Sequence, residues 1–119
     1  MKKVEYDTKP MAYEKIENNL SCYRWEIVQK VTEERTSWEC FEVTVYATVT
    51  KEKITKEVIN ALYPNQQEEK LINDYNAVQL GVCETDQEEL FVSRYVDFLA
   101  IRKAMKEQIE KDCLTFRIF

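Results

Sequence analysis

Two stretches of strict alternation limit what this chain can fold into more than any other feature. In "SCYRWEIVQKV", residues 21–31, the odd positions Tyr23, Trp25, Ile27 and Val31 are apolar, and Arg24, Glu26 and Lys30 take even positions. In "ECFEVTVYATV", residues 39–49, Phe41, Val43, Val45, Ala47 and Val49 share the odd parity, with Glu42, Thr44 and Thr48 opposite. A period of two, rich in β-branched and aromatic residues, specifies strands with one buried face. The polar "TEERTSW" between them is of hairpin-loop length, so the region from about 20 to 50 reads as an antiparallel hairpin. Keeping both apolar sets on one face sets Trp25 across from Val45 and Ile27 across from Val43. A one-residue slip would turn one strand's apolar side chains into water.

After Thr50 the period becomes helical. "TKEVINALYP" carries Val58, Ile59 and Leu62 at helix spacing and stops before Pro64, giving a helix over about 55–63 with Thr55 as its cap. The next stretch, "NQQEEKLINDYN", gathers Glu68, Glu69 and Asp74 around an apolar pair and invites reading as a site. On a helix, however, Leu71, Ile72, Tyr75 and Val78 form one stripe about 120° wide, while Glu69 and Asp74 diverge to opposite flanks. Paired catalytic carboxylates must converge. The stretch is therefore the start of a helix over 66–80. Asn65 and Glu68 fit a capping box, Lys70 and Asp74 a surface pair, and Gly81 a helix stop.

A third helix is expected over 86–112. Glu88 and Glu89 open it, Lys103, Lys106 and Lys111 lie towards its end, and Phe91, Tyr95, Phe98, Met105 and Ile109 recur along it. At 1.5 Å per residue it is about 40 Å long, more than a two-stranded sheet can cover. The excess must pack on the other helices, the N-terminal segment or another chain. The tail "CLTFRIF" returns to alternation and predicts a strand over 114–118 that needs an edge to join. In the first 19 residues, "KKVEY" and "AYEKIENNL" read as short strands, the second turning at Asn18–Asn19, with a single helical turn after Asp7–Thr8 as the alternative. The fold class that follows is α+β in one domain, 1–119. An antiparallel hairpin sheet, open to extension by N- and C-terminal strands, packs against three helices, the C-terminal one longest.

Composition narrows the chemistry. Hydrophobic content of 45% with 33% charge suits an ordered globular chain. A net charge of −5 with scattered basic residues argues against nucleic acid as partner. "MKKVEYDTKP" has no apolar core of a secretory signal, and "FLAI" is the longest apolar run, so a cytoplasmic protein with no membrane contact is expected. The four cysteines form no metal-ligand spacing and read as reduced thiols. There is no histidine and one glycine, which removes the usual general base and the glycine-rich phosphate loops. No catalytic residue, cofactor or metal is expected. Cys83 lies among acids that raise a thiol pKa, and the acidic pairs 33–34, 68–69 and 88–89 lack the calcium-loop pattern.

An interaction surface is the remaining candidate. The outer hairpin face would bring Tyr46 opposite Arg24, with Trp38 at the loop, and aromatic-plus-arginine patches suit protein contacts. Phe116 and Ile118 in the tail extend the candidate set of Arg24, Trp38, Tyr46, Phe116 and Ile118. The plainer reading of that strand face is a solvated surface, or one covered by the tail.

"VINALYP", "EEKLINDYNAVQLG" and "YVDFLAIRKAMKEQIEKD", following the hairpin "YRWEI…EVTVYATVT", carry a resemblance across residues 20–113. The chain resembles small uncharacterised proteins encoded in prophages and mobile elements of gut Bacteroidales, often beside phage structural genes. The resemblance brings no active site. It implies a phage-derived protein, cytoplasmic as made and open to a place in the virion. The expectation is a non-enzymatic structural or assembly/accessory protein of phage type that binds a protein partner or itself. The alternative is a small acidic regulator or inhibitor of a host protein.

Overall fold

The alternating segments become the two long inner strands of the computed structural model, which describes residues 1–119. In chain order the elements are β1 (Val4–Tyr6), β2 (Tyr13–Glu17), β3 (Leu20–Val31), β4 (Thr36–Tyr46), α1 (Lys51–Leu62), α2 (Gln67–Gln79) and α3 (Glu88–Phe116). The strands form one antiparallel sheet in the order β1-β4-β3-β2. The chain is thus α+β, with a four-stranded antiparallel sheet and three helices, the C-terminal one longest. Both short N-terminal strands form, and β2 turns into β3 at Asn18–Asn19. No helix is long and apolar enough to cross a membrane.

The register differs from the expected one. Tyr23 pairs with Val43 and Trp25 with Phe41, so β4 has slid by four residues against the expectation of Trp25 opposite Val45. Up to Trp25 an even slide keeps the side chains on their expected faces. Two features select it. The turn is tight, with the Thr32 N–H and hydroxyl both donating to the Arg35 carbonyl at 2.9 Å. Arg24 also falls opposite Glu42 rather than Tyr46. A bulge between Trp25 and Val28, with Glu26 at φ 52°, then shifts the strand by one residue. Bulges bend and twist a strand, and beyond this one Val28 and Val31 point into solvent.

Helix boundaries follow their local chemistry. α1 begins four residues earlier than expected because the Thr50 side chain, not that of Thr55, caps it by accepting from the Lys53 N–H at 3.2 Å. The Asn65–Glu68 capping box does not form. Asn65 and Gln66 both adopt left-handed backbone, and Gln66 enters α2 without a side-chain cap. At the other end Gly81, at φ 71°, donates to the Val78 carbonyl and Val82 to that of Ala77, the Schellman stop expected there. A short 3₁₀ turn, Thr85–Gln87, leads into α3.

The expected C-terminal strand over 114–118 is absent. α3 runs on to Phe116 because Ile109, Cys113 and Phe116 continue its inward spacing, which outweighs a four-residue alternation. The helix is 29 residues, about 44 Å. Arg117 in left-handed backbone ends it, and the Ile118 N–H donates to the Cys113 carbonyl at 2.8 Å, folding Ile118 onto the core.

That core lies where one sheet face meets α1 and the C-terminal half of α3. Tyr23, Trp25, Val45, Ile54, Val58, Ile109 and Cys113 are buried there together. The Tyr23 hydroxyl donates to Asp112 Oδ2 at 2.6 Å, tying sheet to helix. Only 14 of the 119 residues are buried, and none of them is in α2. α2 packs on the first half of α3 through Tyr75 and Tyr95, whose ring centroids are 4.2 Å apart. The pair projects as an arm, and the molecule measures 51 × 41 × 23 Å.

Candidate functional site

The sheet face turned away from the helices holds the densest polar chemistry in the chain. β1 and β2 are consecutive in sequence but sit at opposite edges of the sheet. Residues 7–12 must therefore cross the two inner strands. They do so over the Arg24 side, where the Met11 carbonyl accepts from Arg24 Nη1 at 3.1 Å; Ala12 is already at the edge of β3, its carbonyl accepting from the Arg24 N–H at 2.7 Å. Lys9 lies 5.5 Å from the centre of the Trp38 ring.

Beneath this strap, Arg24 is 3% exposed. Its Nε donates to Glu42 Oε2 at 3.0 Å and its Nη2 to Glu14 Oε1 at 3.1 Å. Nε and Nη2 also reach the Tyr6 hydroxyl at 3.3 and 3.1 Å. The Tyr6 hydroxyl and the Cys22 thiol donate to Glu42 Oε2 at 2.5 and 3.3 Å. Every guanidinium nitrogen has a partner, and no buried side-chain nitrogen or oxygen in the chain lacks one.

The electrostatics follow from that packing. Burial opposes the charge on Arg24, but its bonds to Tyr6, Glu42 and Glu14 outweigh it and hold the guanidinium above its ordinary pKa. Burial likewise pushes the Glu42 carboxyl up, yet donation from Tyr6, Arg24 and Cys22 brings it below the usual carboxylate value. Burial and then the Glu42 carboxylate raise Tyr6 to about 12 and Cys22 to about 11. These groups are neutral or fixed in charge near neutral pH. A saturated, closed cluster of this kind orders a fold and offers no free acid, base or nucleophile.

The five candidate surface residues do not make one surface. Arg24, expected on an exposed face, is buried because the strap covers it. Trp38 is half-buried on the same side, and Tyr46, 69% exposed, lies opposite Leu20 rather than Arg24. Phe116 and Ile118 lie on the other side of the sheet, where Phe116 packs on Tyr13 at 5.8 Å between ring centres. Tyr6, Glu14 and Met11 complete the cluster and were not singled out from sequence. Arg24 opposite Glu42 in the correct register was the available signal, and no sequence pattern marks the strap.

Other grooves are open and mixed in charge. One of about 610 Å³ between α1 and α3 is lined by Lys51, Lys56, Arg102 and Lys106 together with Glu52 and Glu110. No group of three acidic or thiol side chains is placed to hold a metal ion. Partial burial and the carboxylates of Glu88, Asp74, Glu84 and Asp86 raise the Cys83 thiol pKa.

The arm also leaves apolar side chains in solvent. Leu80, Val82, Leu90, Val96, Leu99 and Ile101 are all exposed on the α2–α3 arm and the loop joining its helices. Compared with known proteins, the chain matches no family model, no curated protein and no solved structure.

Proposed function

We propose that this chain is a non-enzymatic assembly or accessory protein that works through contacts with other polypeptides. The observation that carries the reading is the set of large apolar side chains exposed on the arm, Leu80, Val82, Leu90, Val96, Leu99 and Ile101. The net charge of −5 favours protein over nucleic acid as the partner. The phage setting, with a place in the virion, rests on the resemblance of residues 20–113 described above. Pairwise co-expression with the products of neighbouring genes tests it. A stoichiometric complex with a capsid, tail or baseplate component is the expected result. A complex with a host regulator would favour the inhibitor reading instead. Catalytic turnover by the purified chain, with no stable complex, would overturn both.

A further inference from the structure

α3 carries two apolar seams, and the chain itself uses one of them. Tyr95, Phe98, Met105, Ile109 and Cys113 face α2, α1 and the sheet. A second series, Val92, Val96 and Leu99, alternates spacings of three and four, and Glu89, Lys103 and Lys106 continue the same spacing at its two ends. That pattern lines side chains along one stripe of a helix, as in the seam of a two-stranded coiled coil. The stripe is open. Val96 and Leu99 are 57% and 45% exposed, Val92 is half-buried, and Glu89, Lys103 and Lys106 are exposed.

Charge along this region is ordered. On the stripe itself Glu89 stands before the apolar residues and Lys103 and Lys106 follow them, with Glu110 one turn beyond and paired to Lys51 of α1 at 3.8 Å; Arg94 and Asp97 lie off the stripe. Two such helices side by side in parallel would oppose acid to acid and base to base. Antiparallel, each acidic end meets a basic segment, and two-fold symmetry makes the match twice.

We infer that this seam is a homodimer interface, with α3 of a second copy of this chain packed antiparallel along Val92, Val96 and Leu99. In the register that layers Val96 on Leu99 of the second copy, Val92 lies beneath the aliphatic stem of that copy's Lys103, and Glu89 meets its Lys106. The apolar layer is short and its ends are ionic, so the dimer is weak and loosens with salt. The inference rests on the reading of the chain as a contact protein and deepens it by naming the partner.

Sedimentation equilibrium of the full chain from micromolar to millimolar concentration, at low and high salt, tests it. A monomer–dimer equilibrium that salt weakens is expected. Val96→Glu should raise the dimer Kd by at least about tenfold and leave the monomer folded, since the side chain is already exposed. Glu89→Lys should weaken the dimer, and Glu89→Lys combined with Lys106→Glu should restore it. A chain that stays monomeric throughout, or a dimer indifferent to Val96→Glu, overturns the proposal. A monomeric chain whose complex with a neighbouring gene product is broken by Val96→Glu also overturns it, while the contact-protein reading stands.

Discussion

Arg24 shows how one side chain can both stabilise and expose a fold to failure. Its guanidinium is buried among Glu42, Glu14, Tyr6 and the Met11 carbonyl, so Arg24→Ala strands Glu42 beneath the strap and should cost about 3–5 kcal/mol. Arg24→Met with Glu42→Leu removes both charges and should recover much of that loss in urea denaturation. The same pair sets a pH dependence. Glu42 has a folded pKa below its unfolded value, so its stabilisation is full above the unfolded carboxylate pKa and fades as pH falls through the folded one. Stability measured from neutral pH into acid should drop more steeply in the native chain than in Glu42→Gln. Arg117 sits at the opposite extreme. It holds φ 55° at the end of α3, a position that favours glycine, and its side chain is exposed. Arg117→Gly should raise stability by about 1 kcal/mol, read as a higher melting temperature.

The hairpin and helices were legible in sequence because each carries its own period over many residues. Parity identified the face of β3 and β4 that meets the helices, and Trp25 is buried there, but the opposite face is buried too at Cys22, Arg24 and Cys40, and Val31 is exposed. Trp25→Ala should cost about 3–5 kcal/mol, and native Trp25 emission should resist aqueous quenchers more than that of half-exposed Trp38. Register was less legible, since apolar spacing is equally satisfied by an even slide. The turn at Thr32–Arg35 and the Arg24–Glu42 pairing decide it, and both depend on contacts across the hairpin. The tail misled for the opposite reason. Leu114, Phe116 and Ile118 alternate over too few residues to be told from the end of a helix, and α3 supplied the longer pattern. The buried cluster was hidden because half of it comes from Tyr6, Met11 and Glu14, brought in by a strap that leaves no periodic trace.

Packing across the molecule is uneven. The sheet, α1 and the end of α3 share one core, whereas α2 buries no residue fully. Local opening is easiest where apolar contacts are fewest, so amides of α2 should exchange with solvent faster than those of α1, β3 and β4. Uniform protection across all three helices would contradict this division. The projecting arm also sets the size in solution. The Cα radius of gyration is 17.6 Å, against about 13.5 Å for a compact chain of this length. Small-angle scattering from the Val96→Glu variant should return the larger value. The strap has one more consequence, for how the edges of the sheet come apart. Fully stretched, residues 7–12 reach about 24 Å between the ends of β1 and β2. The three inter-strand steps they cross take about 14 Å, and the strap also runs along β3 from the level of Gln29, beside Trp38 and Tyr6, to that of Tyr23, beside Tyr13, so there is little slack. In most sheets the two outer strands fray independently. Here lifting either one pulls on the belt that holds the other, and the two edges should open as a single cooperative unit.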